Sequence, residues 1–191
     1  KDLDAFLDEL WAYGRQNRML NVPPEHGRFL WTMAEATNAK RVLEIGTSNG
    51  YSTIWLGRAM KVTGGKIITL EIEEARHKEA LENFEKAGVD KLIDARLGDA
   101  LKEIPKLEGP FDLVFIDAWK PDYIKYYDMV MPKLRPGGLI LAHNAIGSAG
   151  PMKPFLDAIK KDKRLVTTIV QIGHDGFAVC YRKHEPKSVA E

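Results

Sequence analysis

From residue 41 onward the chain alternates short apolar runs with amphipathic stretches of helical spacing, and this alternation constrains the fold more than any other feature. The runs are "RVLEIG", "KIITLEI", "KLIDARLGD", "FDLVFIDAW" and "GGLILAHN". Between them lie "YSTIWLGRAM", "EEARHKEALENFEKAG" and "YIKYYDMVMPKL". Strands separated by helices pair in parallel, because each crossover has to return the chain to the same end of the sheet. Nearly unbroken hydrophobicity in "DLVFI" and "LILA" marks central strands buried on both faces. An α/β fold follows, with a parallel sheet covered by helices on both sides. The end of the chain differs. There a helix, "PFLDAIKKDKR", precedes two strands, "LVTTIVQIG" and "GFAVCYRK", around the turn signal "HDG", which adds an antiparallel edge.

The first 40 residues read as helices. In "LDAFLDELWAYGRQNRML" the residues Leu3, Phe6, Leu7, Leu10, Trp11 and Met19 recur near helical spacing. Pro23 and Pro24 of "NVPPEHG" break the pattern, and a second helix, "HGRFLWTMAEATNAK", follows. The expected organisation is one domain: an N-terminal helical cap over residues 1–40, the α/β body over 41–183, and a frayed tail over 184–191.

With 191 residues the chain can bury a large core. Its 28 Lys and Arg against 27 Asp and Glu leave a net charge of +1, without the basic stripe that nucleic acid attracts. The single cysteine, Cys180, excludes an internal disulfide and a Cys-rich zinc site, and its place inside "GFAVCYRK" reads as a packed core thiol. No stretch reaches the roughly 20 apolar residues of a membrane span. No stretch reads as a secretory signal either, so a cytoplasmic protein is the expectation.

Polar groups cluster where strands end, the side of a parallel sheet on which ligands sit. The first strand runs into "EIGTSNGYS", where Gly46 and Gly50 permit a tight turn before the next helix. The spacing is Gly-x-x-x-Gly, not the Gly-x-Gly-x-x-Gly of dinucleotide binders, so a nicotinamide-dependent oxidoreductase is disfavoured. The second strand ends in Glu71, whose carboxylate can accept both hydroxyls of a ribose. The third ends in Asp99 and Ala100, and the fourth in Asp117. Each acid alone could be a helix cap or a surface charge. Together they suit an adenosine-containing ligand lying across the sheet. His26, His77, His174 and His184 show no partner pattern and read as surface or turn residues.

These segments resemble the consecutive motifs of class I S-adenosylmethionine-dependent methyltransferases. The resemblance is closer to the small O-methyltransferases related to the catechol and caffeoyl-coenzyme A enzymes. "RVLEIGTSNGYS", "ITLEIE", "RLGDAL", "FDLVFIDAWK", "LRPGGLILAHN", "MLNVPPEHGRFL" and "QIGHDGFAVCYRK" carry it, in order, over residues 19 to 183. It implies a Rossmann-like, seven-stranded, mostly parallel sheet with the last strand inserted antiparallel, and a homodimer. It also implies a cofactor pose. Glu44 and Gly46 would line the methionine part, and Ser52 would bond its carboxylate. Asn21 and Val22 would close over it. Glu71 would take the ribose, with Ile72 beside the adenine, Asp99 and Ala100 bordering it, and Trp119 packed against it. The acceptor would be a small phenolic or catechol-like molecule.

In the metal-dependent members of that family a divalent ion chelates two adjacent hydroxyls and a lysine takes the proton. Lys120 matches the lysine, and Asp117 and Asn144 match two metal ligands. The remaining ligand is an aspartate in the family and His143 here. Magnesium and calcium prefer oxygen donors, whereas imidazole suits softer ions. Three readings stay open: a softer ion held by Asp117, His143 and Asn144; a metal-free enzyme with His143 as base; and a hydrogen-bonding His143 without a chemical role. A cofactor-binding protein that has lost catalysis is a further alternative. The apolar face of Phe6, Leu7, Leu10 and Trp11 would either form a dimer surface or cover the core.

Overall fold

Side chains on the central strands alternate between two helical layers, and that alternation locates the core. The computed structural model describes residues 2–185; residues 186–191, most of the expected tail, lie outside them. The N-terminal helices are α1 (Leu3–Gln16) and α2 (Pro24–Ala36). There follow β1 (Arg41–Ile45), α3 (Tyr51–Thr63), β2 (Lys66–Glu71), α4 (Glu74–Ala87) and β3 (Ile93–Leu97). Next come the short α5 (Ala100–Glu103), β4 (Phe111–Ile116), α6 (Tyr123–Val130) and β5 (Leu134–His143). The chain closes with α7 (Lys153–Lys161), β6 (Leu165–Ile172) and β7 (Asp175–Arg182).

The seven strands form one sheet in the order β3-β2-β1-β4-β5-β7-β6. All neighbours from β3 to β5 are parallel, whereas β7 is antiparallel to both β5 and β6. The antiparallel strand is therefore inserted, and β6 forms the edge. A hairpin pattern in sequence cannot distinguish these placements, because strand order is set by long-range pairing.

On β4, Leu113 and Phe115 face one core cluster and Val114 and Ile116 the other, the period of two expected for a strand buried on both faces. Leu139 and Leu141 alternate with Ile140 and Ala142 on β5 in the same way. Helices α1 to α4 cover the first face and α5 to α7 the second. Pro24 opens α2 at a position where its missing N–H costs nothing. Phe6, Leu7 and Leu10 of α1 are buried in the first cluster, so the apolar face of α1 covers this chain's own core. Cys180 is buried within the second cluster.

The chain leaves β1 in one direction and β4 in the other, creating a switch point between their carboxyl ends. There Gly46 has φ of +100°, and a Cβ on it would collide with the carbonyl oxygen of Asp117. Gly64 caps α3 at φ +73° with nothing within 4 Å of its would-be Cβ. Replacing each by alanine separates backbone strain from collision. Gly64→Ala is expected to cost about 1 kcal/mol from its left-handed φ alone, and Gly46→Ala at least about 3 kcal/mol or the fold itself. Urea midpoints measure both; equal costs would contradict the close approach.

Glu44 of β1 is fully buried, and both its oxygens are occupied. Ser52 and Thr69 donate to it at 2.6 Å each, and Thr53 donates as well. Burial nevertheless pushes its carboxyl up from 4.5 to about 7, outweighing the three hydroxyl donors. Between these values the folded chain binds more protons than the unfolded one, so this group makes stability fall as pH rises from about 4.5 to 7. Glu44→Gln should remove that slope, a difference of roughly 1–3 kcal/mol between the two proteins' changes in stability from pH 5 to pH 7.5. Parallel stability curves for wild type and variant would contradict it.

Candidate active site

At the carboxyl ends of β1, β2, β4 and β5 lies a cavity of about 1110 Å³. Its walls are the strand ends, the loops after them and the Met19–Pro23 segment between α1 and α2.

Glu71 anchors one end. Its Oε2 accepts from the Ser48 backbone N–H at 2.7 Å, and its Oε1 from that of Glu73 at 2.9 Å. Two fixed N–H donors set the plane of the carboxylate and leave each oxygen capacity for a further bond. Asp99 caps α5 by accepting from the Leu101 N–H at 2.9 Å, and it lines the cavity together with Ala100. Ile72 and Trp119 stand at the mouth, 67% and 69% exposed. Asn21 and Val22 line the opposite wall. The Asn21 amide nitrogen reaches the Leu10 carbonyl at 3.5 Å, the long limit of a hydrogen bond, and its buried Oδ1 has no partner. Ser52 lines the cavity but gives its hydroxyl proton to Glu44. Glu44 itself departs from the expected lining: it lies beneath the floor, because Ser52, Thr53 and Thr69 hold it inside the fold.

The other end is built around Asp117. Its Oδ1 accepts from Lys120 Nζ at 2.7 Å, and its Oδ2 lies 3.2 Å from His143 Nδ1. The second approach makes no hydrogen bond and is an ion pair only when the ring is protonated. Burial raises the Asp117 carboxyl, but His143 and Lys120 together overcome this and hold it down at about 2. Lys120 also donates to the Tyr123 hydroxyl at 2.9 Å, and that hydroxyl donates to the Ile116 carbonyl at 3.1 Å. Asn144 follows β5 in left-handed backbone (φ +61°), and its amide nitrogen donates to Asp175 Oδ2 at 2.8 Å.

His26 departs from the surface reading. It is 1% exposed, and its Nδ1 lies 2.7 Å from His143 Nε2 across 117 positions of sequence. Its Nε2 lies 2.8 Å from the Ile172 carbonyl. Burial lowers its pKa, favouring the neutral ring. His174 sits in the turn between β6 and β7 and lines the cavity, as does Asp175. Apolar periodicity carries no signal for His26 or Asp175, because their partners come from distant strands.

As placed, His143 offers no free ring nitrogen to a divalent ion. Among the described residues no three His, Cys, Asp or Glu side chains are grouped to hold a metal. One Asp117 oxygen faces an ammonium, and both His143 nitrogens face protein groups. The Asp175 carboxylate is taken by Asn144 and by the N–H groups of Ile146, Gly147 and Gly176. The ligand set expected from Asp117, His143 and Asn144 is not shown: both His143 nitrogens face protein groups, Lys120 lies on Asp117, and the Asn144 nitrogen donates to Asp175. A cofactor with a ribose and an ammonium group does fit, since Glu71 and the unpartnered Asn21 Oδ1 offer acceptors where each is needed.

Known proteins agree with this arrangement. A catechol O-methyltransferase of Mycobacterium tuberculosis is 36% identical over 207 aligned positions, covering 93% of this chain and 94% of the relative. One of Niastella koreensis is 41% identical over 131 positions, 66% of this chain and 59% of the relative, so the chain spans under two thirds of that protein. In structure, the Bacillus cereus O-methyltransferase in complex with S-adenosylhomocysteine superposes with a TM-score of 0.85 at 30% identity, covering 96% of this chain and 92% of that one. The Streptomyces achromogenes O-methyltransferase of tomaymycin synthesis, in complex with S-adenosylmethionine, gives 0.85 at 30%, covering 94% and 90%. The O-methyltransferase family profile matches residues 2–183. With that match spanning nearly every residue and the strand-end cavity in place, the chain belongs to the O-methyltransferase family.

Proposed function

We propose that this protein transfers a methyl group from S-adenosylmethionine to a hydroxyl oxygen of a small phenolic molecule. The observation that carries the proposal is a single cavity running from the Glu71 carboxylate to the Lys120 ammonium. Its volume of about 1110 Å³ exceeds the roughly 300–1,000 Å³ of a drug-sized ligand pocket, leaving room for a cofactor and a second molecule.

Glu71 would hold the ribose hydroxyls, while Asn21 Oδ1 would accept from the ammonium group of the methionine part. Ile72, Asp99, Ala100 and Trp119 would surround the base. The cofactor supplies a methyl on a positively charged sulfur, an already activated leaving group. The chain's own residues have to align the acceptor, exclude water and move one proton. Lys120 lines the cavity where the acceptor oxygen would sit; after its ammonium has given one proton to solvent, the neutral amine would take the proton of the acceptor hydroxyl. Asp117 and Tyr123 fix its Nζ from two sides, so that the oxygen's position is set by groups already in place. His143 is less suited to the role of base, since both of its ring nitrogens face protein partners.

With Ile72 and Trp119 given to the base, the exposed apolar Leu20 at the mouth suits an aromatic acceptor rather than a highly charged one. The Asn144–Met152 connection after β5 is short and leaves the acceptor's outer edge loosely defined.

Transfer of labelled methyl from S-adenosylmethionine to a panel of phenols and catechols tests the reading. Lys120→Met should lower kcat by about 10²-fold or more. Glu71→Ala should raise the KM for the cofactor roughly 10-fold or more through loss of charge-assisted hydrogen bonds. Full activity in Lys120→Met, or no transfer to any phenol by the wild type, would overturn it.

A further inference from the structure

We propose that His26 and His143 form a hydrogen-bonded imidazole clamp at the position where the family resemblance implies a divalent ion, so that methyl transfer here needs no metal and His26 is a positioning residue. The inference rests on the methyl-transfer reading above and extends it to a residue outside the expected site.

Hydrogen-bond counting carries the argument. The Ile172 carbonyl can only accept, so the hydrogen of that 2.8 Å contact belongs to His26 Nε2. The 2.7 Å contact between His26 Nδ1 and His143 Nε2 needs one hydrogen between the rings. His143 Nδ1 lies 3.2 Å from Asp117 Oδ2. Both ring nitrogens of both histidines therefore face protein groups, and none is left free for an ion. Lys120 lies on the other oxygen of the same carboxylate.

Packing makes the clamp rigid. His26 is 1% and His143 5% exposed, and the two rings meet edge to face with centroids 4.9 Å apart. Phe177 packs against both, at 5.1 Å from each, and Phe29 packs behind Phe177 at 4.9 Å. His26 lies in the first turn of α2, directly after the Met19–Pro23 segment that walls the cavity. Its bonds to β5 and β6 therefore tie that segment to the sheet at the reacting end.

The test uses the wild-type chain saturated with S-adenosylhomocysteine, with magnesium, manganese and zinc ions each titrated calorimetrically. Ring-nitrogen NMR of the same sample reports the histidines. The expected result is no saturable ion binding, together with a nitrogen–nitrogen coupling between the His26 and His143 rings. Turnover should stay within about twofold on adding a chelator. His26→Gln, which can still bond His143, should keep more of kcat than His26→Ala at similar KM for the cofactor. Saturable binding of an ion that shifts the His143 ring signals, or turnover lost to a chelator and restored by an ion, would overturn the clamp. Absence of the ring–ring coupling would overturn it as well. Failure to bind S-adenosylhomocysteine would instead overturn the methyl-transfer reading, and the inference built on it.

Discussion

A carboxylate taken out of water is stabilised in a protein only where positive groups and hydrogen bonds replace its hydration. Asp117 meets that requirement at the end of β4 with Lys120 on one oxygen and the His143 ring beside the other. Each of these groups is in turn held by something else. Lys120 is fixed by Tyr123, which hangs from the Ile116 carbonyl, and His143 is fixed by His26, which hangs from Ile172. The end of β4, the end of β5, the edge strand and the N-terminal helices therefore share one electrostatic centre. Removing the Asp117 charge would strip both Lys120 and His143 of their shared partner, so its influence reaches well beyond its own contacts.

The same point in the sheet is set sterically by Gly46. Its left-handed backbone lets β1 turn away against the Asp117 carbonyl, opening the space at the switch point that becomes the cavity. Glu44, two residues earlier, serves the floor of that cavity and not its lining. Its three hydroxyl partners come from α3 and β2, so it couples the first turn of α3 to the neighbouring strand. A rigid floor and a polar rim with spare acceptors are what a site needs to orient a cofactor without rearranging.

Much of this was legible in the sequence because it rests on local signals. The apolar runs around Val114 and Ile140 announce strands buried on both sides, and Pro23-Pro24 punctuates the N-terminal helices. The acids ending β2, β3 and β4 announce the ligand-binding edge. What stayed hidden depends on pairing between distant segments. The insertion of β7 between β5 and β6 is a choice of strand order, to which a hairpin pattern is blind and which the family resemblance alone announced. His26 looked like a turn residue because its partners lie 117 and 146 positions away. The Asp117–His143–Asn144 set looked like a metal site by family resemblance, which cannot show that both His143 nitrogens face protein groups.

The central claim is that the cavity between Glu71 and Asp117 holds the adenosyl cofactor and that the charge at Asp117 is balanced from within the protein. A crystal structure of the chain grown with S-adenosylhomocysteine and excess magnesium would test it most directly. The account predicts ribose hydroxyls on the Glu71 carboxylate, Lys120 still on Asp117, and His26 still bonded to His143. An ion coordinated between Asp117 and Asn144 with Lys120 displaced, or a cofactor seated away from Glu71, would contradict it.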